Sequence, residues 1–263
     1  MTKALPKDIT SYDLLKTLAV VLMIIDHIGI YFYPEAMWWR AVGRMSAPIW
    51  LFLIGYAMTR DVPARLWGGA LILTLTSLLV APHIFPLTIL VGMALVRPVL
   101  DRAAAYVFSG LESMLIALGV ITLLLIPSHL PVEYGLFCLT IPLYGFLRRQ
   151  PEKCRAVSRT AALGFIGFTA ASYAFMNIIG YEFDTAQSVF VAAGTAIIFT
   201  ALYGFKSATY PALTKSWPRP LTALIQFGGR RTLEIYVAHL LVFRLAAYLL
   251  GIEGFGLFEW SWY

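Results

Sequence analysis

The run DLLKTLAVVLMIIDHIGIYFY, residues 13–33, decides how this chain folds. It lacks the two-residue alternation of a barrel strand. As a helix it is long enough to cross a hydrocarbon core about 30 Å thick, which takes about 17–25 mostly apolar residues. Yet Lys16, Asp26 and His27 lie inside it. A charge near the bilayer centre costs at least ~2.5 kcal/mol, and ionisable groups retained there usually face protein or a cavity. The segment therefore reads as a membrane helix whose polar side chains turn toward other helices.

The rest of the chain repeats this pattern. Of its 263 residues, 60% are apolar and 13% charged, where soluble domains have roughly 45–50% and about 25%. So few charges cannot cover so much apolar surface in water. The fold expected is all-α, a polytopic transmembrane helical bundle with spans near 13–33, 45–60, 66–82, 84–97, 111–127, 131–147, 160–181, 187–204 and 232–250. The fourth, broken by Pro82 and Pro86, is expected to be short or re-entrant, which lipid tolerates only where protein surrounds it. Residues 205–231, with Pro211, Pro218 and Pro220, read as a short cytoplasmic amphipathic stretch. Residues 1–263 read as a single integral membrane domain.

Basic residues set the orientation, because lysine and arginine accumulate on the cytoplasmic side. With nine spans and a cytoplasmic N-terminus, all 20 lysines and arginines except Arg40, Arg44 and Arg244 fall inside. Glu133, Glu182, Asp184, Glu253 and Glu259 fall outside. The expected location is a bacterial-type inner (cytoplasmic) membrane, crossed many times. Tyr31, Phe32, Tyr33, Trp38 and Trp39, with Trp260, Trp262 and Tyr263, fit interfacial belts. The first run is longer than a signal-peptide core and lacks a small-residue cleavage site, so it reads as an uncleaved span. The net charge of +6 is scattered between apolar runs, not gathered among interleaved aromatics, which excludes nucleic acid as a partner. Cys138 lies in an apolar run and Cys154 in a basic loop, so a disulfide between them is not expected. Neither has metal-ligand spacing, and no metal or resident cofactor is expected.

Neighbours on a helix point about 100° apart, so Asp26 and His27 cannot pair with each other. Each needs a partner elsewhere, and for Asp26 the nearest in sequence is Arg44, just before the second span. His27 falls about 21 Å along a helix begun at Asp13, in the outer part of the membrane. In the last span Tyr236 and His239 are three apart and share a face, with His239 about 10 Å in from the cytoplasmic end. A histidine near neutrality can take a proton from an attacking hydroxyl or amine. Glu234 reads as a partner of Arg230 and Arg231, and Asn177 as interhelix glue. There is no phosphate-binding glycine loop, paired His–Glu metal motif or serine nucleophile elbow.

At Asp13-Leu14-Leu15-Lys16, through Met23-Ile24-Ile25-Asp26-His27-Ile28-Gly29, then Gly43-Arg44 and Pro48, the sequence resembles the TraX family. That family is named for a conjugative-pilus protein that acetylates the N-terminus of pilin. Tyr236-Val237-Ala238-His239-Leu240 resembles its closing element more loosely. TraX proteins are in turn similar to the acyltransferase-3 membrane enzymes, in which an arginine and a histidine eleven positions apart on the first helix are central to activity. Here the histidine is His27, and Lys16 stands in the arginine's place. Lysine keeps the charge and loses the planar two-pronged donor.

The resemblance implies transfer of an acetyl group from cytoplasmic acyl-coenzyme A to a protein N-terminus, a sugar hydroxyl or a lipid head group. His27 would be the general base and Asp26 would charge the site with Arg44. Lys16, Arg44, Tyr236 and His239 would line the donor's path. The pantetheine arm would pass Lys16 and His239 before the thioester reaches His27. Two other classes compete. A transporter would use Asp26 and His27 as relay or substrate sites, although no repeat of broken helices accompanies them. A structural subunit would use the buried charges for packing alone. The topology is directly testable. A reporter fused after Gln150 should be cytoplasmic and one after Glu253 external, whereas both on one face would remove the nine-span arrangement.

Overall fold

The computed structural model describes residues 6–80, 83–259 and 262. Pro82, Trp260 and Tyr263, named above, lie outside them, as does Lys3 among the basic residues. In chain order the helices are α1 (Ser11–Phe32), α2 (Trp38–Gly43), α3 (Ser46–Tyr56), α4 (Ala64–Val80), α5 (Ile89–Val107), α6 (Leu111–Ser128) and α7 (Phe137–Arg149). A 3-10 turn (Pro151–Cys154) leads to α8 (Arg159–Gly180), α9 (Thr185–Tyr203), α10 (Pro211–Ser216), α11 (Arg219–Arg230) and α12 (Thr232–Leu249). Extended pairing among the described residues is limited to two isolated bridges, Thr10 with Thr209 and Leu87 with Val132. The chain is an all-α bundle, and its helices are those of a multi-pass membrane protein. Five of them, α1, α6, α8, α9 and α12, are long and apolar enough to cross a bilayer by themselves. Large side chains such as Leu123 and Ile126 on α6 stay exposed, a surface suited to lipid.

Each expected span contains a helix, but the short ones are not where the prolines suggested. Residues 84–97 were expected to form a broken piece. Instead α5 starts after Pro86, continues through Pro98, and has 19 residues, about 28 Å of helix. Its charged half is stabilised in place: Arg97 donates to the Asp61 carbonyl at 2.8 Å, and Arg60 Nε to Asp101 at 2.9 Å. The short members are α3, with 11 residues, and α7, with 13, about 16 and 20 Å long. Neither matches its expected span of 45–60 or 131–147. Before α7 the chain turns at Tyr134 and Gly135, whose φ angles are +65° and +44°, a left-handed region that ends any helix.

These two short helices form the centre of the bundle. Nearly every residue of both is buried, including Leu51, Phe52, Leu143 and Tyr144. A helix apolar on all sides belongs in the interior. They touch through backbone. A Cβ on Gly55 would lie 1.8 Å from the Pro142 carbonyl oxygen, and one on Gly145 2.2 Å from that of Phe52. Small residues allow this approach, the usual source of helix association in membranes.

The N-terminal turn of α1 is a second joint. Thr10 and Asp13 form a capping box, each side chain accepting from the other's backbone N–H, at 3.1 and 2.9 Å. Asp13 also receives Arg230 at 3.1 and 3.2 Å. Arg230 is thereby drawn away from Glu234, which pairs with Arg231 at 3.6 Å and Arg65 at 3.8 Å. Residues 211–230 fold as two short helices, and α11 lies on the first turns of α1.

The contact between α3 and α7 makes a clear test. Gly55→Val should lower stability by at least about 3 kcal/mol, the upper end of ordinary overpacking, because backbone stands in the way. Gly164→Ala, where an added Cβ meets nothing within 4 Å, should leave the melting temperature in detergent unchanged.

Candidate functional site

On α1, Lys16 and His27 are eleven residues apart, three helical turns and about 16 Å, so they lie on one stripe. Met23 falls between them on the same side. Beside Lys16, Arg65 and Arg97 a cavity of about 290 Å³ runs inward to Met23, Trp50, Ile89 and Tyr236. Those four also line a smaller cavity of about 30 Å³ that ends on Asp26, His27, Glu133 and Tyr134. The two cavities share these four side chains, and between them their linings extend from Lys16, Arg65 and Arg97 to His27. Lys16 and Tyr236 therefore do share one cavity system. Arg65, Arg97, Glu133 and Tyr134 belong to it as well, and sequence reading missed them because separate helices bring them together.

Asp26 is 3% exposed and Arg44 4%. As expected, Arg44 holds Asp26: Nε donates to Oδ1 at 3.0 Å and Nη2 to Oδ2. Arg40 supplies a second clamp, with Nη1 on Asp26 Oδ2 at 2.7 Å. The signal for Arg40 was its spacing of four from Arg44, which puts both on one side of α2 and its C-cap. Tyr181 accepts from both guanidinium groups at 2.8 and 2.9 Å, and Tyr173 donates to the Arg44 carbonyl at 2.6 Å. Tyr134, in its left-handed conformation, presents its ring 5.4 Å from the Arg44 guanidinium. A Cβ on Gly43 would lie 2.2 Å from that of Asp26, so this glycine lets α2 close on α1. Asp26 thus faces two guanidinium groups, and the Glu133 carboxylate lines the same cavity end and lies within electrostatic reach of Arg44.

His27 and His239 were expected at different depths, with His239 on the donor's path. The structure corrects this. His27 Nδ1 and His239 Nε2 are 2.6 Å apart, with the rings stacked 4.8 Å between centroids. The two helices do not start level: His27 is about 24 Å along α1 and His239 about 10 Å along α12. Because α11 occupies the first turns of α1, α12 begins deeper. Tyr236 shares the face of His239, as expected, with ring centroids 5.8 Å apart, and lies 6.1 Å from His27.

The hydrogen bonds fix the protons. A carbonyl only accepts, so His239 Nδ1, 2.8 Å from the Ile235 oxygen, must carry hydrogen. Its Nε2 is then the acceptor in the neutral ring, and His27 Nδ1 must donate to it. The basic lone pair of His27 is left on Nε2. One backbone oxygen thus sets both tautomers.

Other polar residues have structural duties. Arg244, expected outside, is buried and donates to the Tyr31 hydroxyl at 3.1 Å, the Leu73 carbonyl at 2.6 Å and the Thr76 hydroxyl, tying α12 to α1 and α4. Asn177 donates to the Tyr173 carbonyl within its own helix at 2.8 Å. Burial pushes the Cys154 thiol up to about 11, with Glu152 adding to it, which keeps it protonated and a poor nucleophile. Among the described residues no three His, Cys, Asp or Glu side chains gather as a metal site.

A family model described as "TraX protein" matches residues 11–246, from the start of α1 into α12. The chain is 31% identical over 145 residues to the uncharacterized protein RP591 of Rickettsia prowazekii (strain Madrid E), covering 55% of this chain and 58% of that protein. It is 36% identical over 66 residues to the protein TraX of Escherichia coli, covering 23% of this chain and 27% of that one. The chain thus spans less than two thirds of the length of either relative. No solved structure matches it.

The ion cluster gives a stability test. Asp26→Asn leaves two buried guanidinium groups without their counter-charge, and breaking such a cluster costs about 3–5 kcal/mol. Thermal unfolding in detergent should reveal the loss, whereas an unchanged melting temperature would mean that the cluster is hydrated.

Proposed function

The chain belongs to the TraX family, and from that premise we propose that it is a membrane acyltransferase moving an acetyl group from acyl-coenzyme A to a protein N-terminus, a sugar hydroxyl or a lipid head group. In this reading it sits in the inner membrane with its N-terminus in the cytoplasm, where acyl-coenzyme A is made. The reading rests on one juxtaposition: His27, held through Nδ1 by His239, lines a cavity that shares four side chains with a larger one lined by Lys16, Arg65 and Arg97.

The basic mouth would attract the donor's phosphates, while the apolar stretch past Met23, Trp50 and Tyr236 would take the pantetheine arm. His27 Nε2 removes a proton as the acceptor nitrogen or oxygen attacks the thioester carbon. The carbon–sulfur bond breaks, and the departing thiolate recovers that proton from His27. The negative charge that develops on the carbonyl oxygen would be favoured by the nearby Arg44 guanidinium. In this mechanism His239 orients the base rather than contacting the donor. Transfer is direct, with no acyl-enzyme.

A positioned base contributes about 10²–10⁴-fold to rate. His27→Ala should lose at least about 10²-fold in transfer of labelled acetyl by purified protein while still binding acyl-coenzyme A. Lys16→Ala should do the reverse, weakening donor binding more than it slows turnover at saturating donor. Near-normal transfer by the His27 variant would end the assignment.

A further inference from the structure

A third cavity, of about 230 Å³, shares no lining residue with the two that lead to His27. It lies where α7 ends and α8 begins, with Arg148, Arg155 and Arg159 at its edge and Leu163 and Ile166 along its wall. None of these three arginines forms an ion pair among the described residues. The Arg148 guanidinium lies 3.9 Å from the Tyr203 ring centroid, and its buried Nε has no hydrogen-bond partner. Stacking fixes the plane of the fork and leaves its donors unused.

We propose that this cavity seats an anionic phospholipid, with the phosphate on the arginines and an acyl chain along the apolar wall of α8. Three features favour a lipid. The site stands at the polar end of two membrane helices, the depth of a lipid headgroup, where basic pockets between helices bind anionic lipids. Guanidinium forks match phosphate oxygens in pairs. The wall is apolar and Leu163 is largely exposed at its edge, so a chain arriving from the bilayer can enter, whereas a water-soluble phosphate would gain little from it. Charge bias that merely sets topology requires arginines at this end of the helices, but no apolar-walled cavity between them.

The test is thermal unfolding of the full-length protein in detergent, titrated with dioleoylphosphatidylglycerol or dioleoylphosphatidylcholine. The anionic lipid should raise the melting temperature and the zwitterionic lipid should not. Arg155→Gln with Arg159→Gln, both exposed, should fold normally and need on the order of tenfold more phosphatidylglycerol for the same shift. Ala162→Phe keeps every charge but fills the cavity, and should blunt the response equally. Equal protection by both lipids would overturn the proposal. So would a full phosphatidylglycerol response in either variant. Loss of protection by coenzyme A in the arginine variant, with the lipid response intact, would assign the cavity to a soluble phosphate instead.

Discussion

Two guanidinium groups and a carboxylate enclosed among membrane helices can persist only if nearly all their hydrogen-bonding capacity is met by protein. Desolvating each ion costs several kcal/mol, and mutual attraction offsets this only with good geometry and further hydrogen bonds. Here the Asp26 carboxylate takes both arginines, Tyr181 accepts from both, and Tyr173 donates to the Arg44 carbonyl. The partners come from α1, α2, α8 and the turn before α9. That requirement draws one end of each of these helices to one point. It also demands Gly43, since a larger residue would push α2 off Asp26.

With α1 anchored at Asp26, its next residue is fixed as well. His27 is turned about 100° away from the ion cluster, toward α12 and the cavity. Asp13 anchors the other end of α1 by receiving Arg230, and this sets how deep α12 begins. The two anchors together bring His239 level with His27. Separating the charges from His27 keeps the histidine free of a carboxylate hydrogen-bond partner.

The central pair α3 and α7 explains how the cavity stays open in a packed interior. Their backbone contact at Gly55 and Gly145 is tight, and the aromatic rings of Phe52, Tyr56 and Tyr144 fill the space around it. Volume left over falls between α1, α4, α5 and α12, which line the route with Lys16, Leu66, Met93 and Leu233. Since protein covers α3 and α7, neither has to match the thickness of a bilayer.

Hydropathy along the chain was sufficient for an all-α membrane bundle and for the approximate position of each membrane helix, because lipid imposes one rule on every residue of a span. The Asp26–Arg44 pair and the common face of Tyr236 and His239 were also legible, from chain proximity and helical period. Which helices are short was not. Pro86 looks like a break but lies ahead of α5, and a helix shortened by burial carries no local mark. Nor was the partnership of Glu133, Arg65 and Arg97 with the cavities legible, since these residues meet only through packing of α4, α5 and the turn before α7. The contact of His27 with His239 depends on the relative depth of two helix starts. Sequence period fixes the angle around a helix, but only tertiary packing fixes its height.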